Sequence, residues 1–138
     1  RDHPYQADYA RQMCALARGC DNINVEFLPP DPDHMTRKVE LYSDALGLLF
    51  CPQFEEPFGL PQVEAMACGT PVIGPNRGSV KEVSGECALE KFDQAVFGVH
   101  RPWVSGIVRK RAVEHFDRRV MAAKYVALYE EVCGGGGW

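Results

Sequence analysis

The 138 residues carry 46% hydrophobic and 25% charged side chains, a balance that suits a globular chain with a real core and excludes a disordered or fibrous one. A net charge of −4, without a clustered basic stripe, gives no electrostatic pull toward nucleic acid. No run approaches the roughly 18 apolar residues that span a bilayer, and the first residues lack the apolar stretch of a signal peptide.

In chain order, Tyr5, Tyr9, Met13 and Leu16 or Ala17 recur near helical spacing, which predicts a helix over Pro4 to Arg18 stopped by Gly19. Asn24 to Leu28 reads as a short strand ended by Pro29-Pro30. Asp31 and Asp33 offer an N-cap to a second helix, whose Met35, Val39, Tyr42 and Leu46 form an apolar stripe. The run Leu46 to Cys51 reads as a buried strand. Pro57 and Gly59 then break regular structure, and Leu60 to Cys68 reads as a helix, with Pro61 tolerated in its first turn. Gly69 is a natural left-handed stop, and Thr70 to Gly74 opens another apolar strand.

After a loop through Gly78, Ser79 can cap a short helix over Val80 to Val83. Asp93 to Val99 and Val104 to Phe116 look helical, with Pro102 between them. Asp117 caps a last helix whose Met121, Tyr125, Leu128 and Val132 share one face. The pattern is one domain over residues 1–133, followed by a flexible glycine-rich tail over 134–138. Neither the six cysteines nor the four histidines show metal-ligand spacing. Scattered cysteines fit a reduced, cytoplasmic setting better than a disulfide framework.

Strand, glycine-bearing loop, helix and strand over residues 46–74 is the layout of a parallel α/β sheet, where ligands sit beyond the carboxyl ends of the strands. Backbone N–H groups and the helix dipole attract phosphate at that point. Two carboxylates, Glu56 and Glu64, flank the turn with seven residues between them.

The run Glu56-Pro57-Phe58-Gly59-Leu60, then Glu64-Ala65-Met66-Ala67-Cys68-Gly69-Thr70-Pro71-Val72-Ile73, resembles the donor-binding motif of retaining group 1 glycosyltransferases with the GT-B fold. The glutamate spacing agrees with that family's E-x7-E signature, and Arg77-Gly78-Ser79-Val80 and Glu82-Val83 also look like it. The resemblance implies a Rossmann-like α/β domain, with a parallel sheet and helices on both faces. It would be the C-terminal half of a two-domain enzyme, truncated at its start and lacking the acceptor-binding N-terminal domain.

By resemblance, Glu56 faces the donor hexose and is the residue carried over as catalytic. The backbone N–H groups of Phe58, Gly59 and Leu60 reach the sugar and phosphate side, and Glu64 accepts hydrogen bonds from the ribose hydroxyls. Arg77 is a candidate phosphate or acceptor contact. The implied reaction moves a hexose from a nucleoside-diphosphate sugar to an acceptor hydroxyl with retention, without a metal or resident cofactor. The leaving diphosphate is stabilised by oriented N–H groups.

Each residue also has a plainer reading. Glu56 can be a solvated loop charge, Glu64 a carboxylate favoured by the helix dipole, Phe58 a loop anchor, Gly59 a turn residue and Arg77 a solvated arginine. The family's basic residues near the donor diphosphate have no match upstream. Ser84 to Leu89 looks shortened, which puts the sheet edge in question. A non-catalytic nucleotide-sugar-binding or regulatory module with the same fold is the alternative. An NAD-binding domain is disfavoured, since no G-x-G-x-x-G follows a strand. Truncation predicts exposure of some of Met121, Tyr125 and Leu128, favouring self-association. Membrane contact of the whole enzyme stays open.

Overall fold

The computed structural model describes residues 4–22, 24–26, 28, 34–85, 88–89 and 102–134. It divides into two compact units, Arg1–Pro32 and Asp33–Trp138. In the first, α1 spans Pro4–Arg18, and the Gly19 N–H returns to the Leu16 carbonyl at 3.1 Å. The expected strand over Asn24 to Leu28 does not form. Residues 24–26 and 28 belong to no strand, because a strand exists only through its ladder and every described ladder runs between residues of the second unit.

The second unit contains α2 (His34–Asp44), β1 (Leu48–Leu49), α3 (Leu60–Ala67), β2 (Val72–Ile73), α4 (Val80–Ser84), β3 (Ala88–Leu89), α5 (Pro102–Phe116) and α6 (Arg118–Gly134). The three strands form a parallel sheet in the order β1-β2-β3, with Leu48 opposite Val72 and Val72 opposite Ala88. Parallel neighbours need a crossover, and α3 and α4 supply them. This is the expected Rossmann-like α/β arrangement, reduced to a small sheet among helices.

The ladders are shorter than the apolar runs that predict them. Leu48 N–H donates to the Pro71 carbonyl at 2.8 Å and Phe50 N–H to Ile73 at 2.8 Å. Pro71 has no N–H to carry the β1–β2 ladder back toward Leu46, so that run ends as a strand of two residues. At the other edge, the shortened segment after Val83 still delivers β3 to the sheet.

Met66, Val72, Val108 and Ala112 make the buried core, with Leu48, Phe50 and Val104 packed around it. Helix α3 therefore meets α5 through Met66, while β2 lies beneath. The Arg111 side chain of α5 donates to the carbonyls of Val83 (2.9 Å) and Glu82 (2.7 Å), supplying a cation to the carboxyl end of α4.

Of the predicted stripe on α2 only Tyr42 packs. Met35 is 62% and Leu46 63% exposed, and it is Lys38 and Tyr42 that reach α3. Lys38, the other residue at that contact, has no place in an apolar period. Asp117 does cap α6, accepting from Arg119 N–H at 2.8 Å. No side chain of that helix is buried, and Met121, Tyr125 and Leu128 are 53%, 53% and 49% exposed. Gly134 closes α6 rather than opening a tail; residues 135–138 and the helix expected over Asp93 to Val99 lie outside the described residues. Cys14, Cys20, Cys51, Cys68 and Cys133 carry free thiols. No helix among the described residues is long and apolar enough to cross a membrane.

These burials separate two methionines. Met66→Ala should destabilise the fold by about 2–5 kcal/mol in chemical denaturation, whereas Met121→Ala on α6 should change it by no more than about 0.5 kcal/mol.

Candidate functional site

The site is the segment that leaves β1 and enters α3. Gly59 stands at the N-cap with φ +75°, a left-handed conformation that glycine adopts without strain. A Cβ there would lie 2.5 Å from Gln62 Nε2 and 2.9 Å from the Phe50 ring, so both conformation and space demand glycine.

Beneath the loop lies a buried polar network that the sequence reading missed. Gln62 Nε2 donates to the Phe58 carbonyl at 3.0 Å and to Ser79 Oγ at 3.1 Å. Gln62 Oε1 accepts from Ser84 Oγ at 3.0 Å, and Ser79 Oγ donates to the same Phe58 carbonyl at 2.9 Å. Both amide protons of Gln62 and its oxygen are thereby used. Ser79 is the N-cap of α4 as expected, yet its hydroxyl makes no capping bond, because the Phe58 carbonyl has claimed it. A signal was present: Gln62 precedes the buried Ala65 and Met66 by three and four positions, so it shares their helix face.

The network dictates where the loop's donors point. In a trans peptide the carbonyl of one residue and the N–H of the next face opposite ways. Turning the Phe58 carbonyl inward to Gln62 turns the Gly59 N–H outward. There it donates to Glu56 Oε1 at 3.1 Å, and Phe58 N–H donates to the same oxygen at 3.4 Å. Glu56 is thus fixed against the amino end of α3, and its own carbonyl is held by Ser79 N–H at 2.8 Å. Glu55 beside it is exposed.

Phe58 is half-exposed and stands edge-on to Phe116 at 5.8 Å and 73°, while the Leu60 side chain is exposed. Arg77 Nη2 donates to the Pro52 carbonyl, tying the loop after β2 to the loop after β1.

Glu64, one turn into α3, meets two side chains that sequence spacing did not connect to it. Lys38 Nζ lies 3.0 Å from Oε1 and 2.9 Å from Oε2, and Tyr42 OH donates to Oε2 at 3.5 Å. Lys38 and Tyr42 are four residues apart and so share a face of α2. The end of that helix is docked by Thr70, whose hydroxyl donates to the Tyr42 carbonyl. Burial raises the Tyr42 pKa above the ordinary 10.0, and the Glu64 charge and its hydrogen bond add to the rise. Carboxylates thus flank the loop, one held by backbone N–H groups and the other by an ammonium and a phenol.

Comparison with known proteins gives the family. The family model described as "Glycosyl transferases group 1" matches residues 6–88. The chain belongs to the group 1 glycosyltransferases. It is similar to the MMP alpha-(1->4)-mannosyltransferase of Mycolicibacterium hassiacum, 39% identical over 97 aligned positions covering 58% of this chain and 23% of the relative. It is also similar to the D-inositol 3-phosphate glycosyltransferase of Rhodococcus jostii, 49% identical over 57 positions, 41% of this chain and 12% of the relative. A third relative is the O-antigen chain mannosyltransferase B of Escherichia coli, 47% identical over 49 positions, 36% of this chain and 13% of the relative. The chain spans less than a quarter of the length of these curated relatives.

The Tyr42 environment has a pH signature. A raised pKa means the folded state favours the neutral phenol. The stability this contributes is fully present below the ordinary value of 10.0 and is lost as pH rises through the raised value. Absorbance titration of phenolate should show one tyrosine ionising late. Glu64→Gln should bring it partway down, leaving the part due to burial.

Proposed function

We propose that this chain is the donor-binding domain of a retaining glycosyltransferase that transfers a hexose from a nucleoside-diphosphate sugar to an acceptor hydroxyl. One observation carries the reading. The outward N–H groups of Phe58 and Gly59 stand with Glu56 at the amino end of α3, one helical turn from the Glu64 carboxylate.

A nucleotide sugar presents hexose hydroxyls, a diphosphate and a ribose diol in sequence along one molecule, and the site supplies a complement to each. Glu56 accepts hydrogen bonds from hexose hydroxyls. The N–H groups of Phe58 and Gly59, given up by Glu56 as it turns to the hexose, meet the sugar and phosphate side together with that of Leu60 and the dipole of α3. Glu64 accepts from the ribose diol, one hydroxyl on each oxygen. The Arg77 guanidinium, held at one nitrogen by Pro52, has further donors for a phosphate or for the acceptor.

During transfer the bond from the anomeric carbon to the diphosphate breaks, a bond to the acceptor oxygen forms on the same face of the sugar, and the acceptor hydroxyl's proton passes to the leaving diphosphate. Negative charge gathers on the leaving diphosphate. Backbone donors whose direction the fold sets stabilise that charge once Glu56 has released them, the electrostatic form of catalysis. The reading gives no role to a metal or resident cofactor and places the reaction in the cytoplasm. The acceptor is bound by parts of the enzyme outside this chain.

Ligand-observed NMR against UDP-, GDP- and ADP-sugars and NAD tests the reading. Saturation should concentrate on the ribose of one nucleoside-diphosphate sugar and fall at least about tenfold in Glu64→Ala, the scale of losing charge-assisted hydrogen bonds. Equal binding of NAD, or binding indifferent to Glu64→Ala, would contradict it.

A further inference from the structure

We infer that Lys38 is a positioning residue of the donor site. Its ammonium holds and neutralises the Glu64 carboxylate, so that this carboxylate can take a ribose diol without repelling the diphosphate of the same ligand. The inference rests on the ribose role of Glu64 proposed above; its own ground is the geometry of the pair.

The Lys38 ammonium spans both carboxylate oxygens, at 3.0 and 2.9 Å, instead of meeting one of them end-on. The pair joins α2 to α3 across 26 positions of sequence, whereas the other described ion pairs, Arg11–Asp8 and Lys110–Glu114, are each neighbours on one helix. Lys38 and Glu64 are 40% and 32% exposed at their side chains, so water reaches the pair and screens it only in part. Its position is fixed from outside as well, because the Thr70 hydroxyl pins the end of α2 at the Tyr42 carbonyl and Tyr42 OH adds a second contact to Oε2.

The chemistry of a nucleoside diphosphate makes this arrangement useful. Its ribose diol is neutral and donates hydrogen bonds, which a carboxylate accepts well. Its diphosphate is anionic and is repelled by the same carboxylate. A carboxylate has about four lone-pair positions. Lys38 and Tyr42 engage part of them and leave capacity for a diol, while the ammonium cancels the charge.

The test compares the unsubstituted chain with Lys38→Met, Lys38→Arg and Glu64→Gln. Binding is measured for UDP, GDP and ADP and for uridine, guanosine and adenosine, at low and high salt, with melting curves for every variant. For whichever base binds, Lys38→Met should weaken the diphosphate about tenfold and the nucleoside no more than about threefold, as expected for unmasking one partly screened charge. The difference should shrink at high salt, and Lys38→Arg should retain most of the affinity. Glu64→Gln should weaken nucleoside and diphosphate alike. Should Lys38→Met not fold, Lys38→Gln, which keeps a donor but no charge, carries the same expectation. Equal effects of Lys38→Met on nucleoside and diphosphate, or none on either, would overturn the inference while a Glu64→Gln effect left the ribose reading standing. Binding indifferent to Glu64→Gln, or no binding by the folded unsubstituted chain, overturns both.

Discussion

The arrangement of the site depends on one buried amide. Gln62 lies inside the protein with both protons and its oxygen engaged, by the Phe58 carbonyl, Ser79 and Ser84. A polar side chain so placed is stabilising only when every partner is present, since an unsatisfied buried donor or acceptor costs about 1–3 kcal/mol. That requirement locks three pieces of chain together: the loop after β1, the first turn of α3 and both ends of α4. It also settles the orientation of a single peptide plane. With the Phe58 carbonyl turned toward Gln62, the Gly59 N–H turns toward Glu56, and one hydrogen bond fixes the direction of the other. Glycine at position 59 completes the constraint, because a Cβ would strike the amide that organises the loop.

Around this plane the charges are arranged in complementary pairs. Glu56 is held by backbone N–H groups that carry the positive end of the α3 dipole. Glu64, further along the same helix, is held by Lys38 and Tyr42 from α2. Both carboxylates are thus held in place by the fold. The parallel ladder of β1 and β2 and the Met66 core set the distance between the loops, Arg77 fastens the loop after β1, and Arg111 the end of α4. Stability and site therefore share residues: Gln62 and Ser79 are core by burial and site by consequence.

Much of this was legible in the sequence. The helices over Pro4 to Arg18 and Leu60 to Ala67, the Asp117 cap and the β1-loop-α3-β2 order follow from glycine and proline placement and from apolar runs. The motif residues Glu56, Phe58, Gly59 and Glu64 stand on one loop and one helix, as the spacing implies. What was not legible shares one physical cause. Lys38 and Tyr42 touch Glu64 across 26 and 22 positions, and Ser79 and Ser84 reach Phe58 and Gln62 across 21 and 22. Long-range polar contacts leave no period in a sequence, whereas apolar faces do. The same limit explains the strand expected near Asn24 to Leu28, which has local β character but no described partner, and the α2 stripe, of which Tyr42 packs while Met35, Val39 and Leu46 are exposed.

On the proposed reading the N–H groups of Phe58 and Gly59, oriented by Gln62 and released by Glu56, receive the donor. Amide NMR shifts followed while a nucleoside-diphosphate sugar is added measure this directly. The Phe58 and Gly59 amides should move with the ligand and saturate together with signals of Glu64. A ligand that saturates the protein while those two amides stay unmoved would place the donor elsewhere and contradict the account.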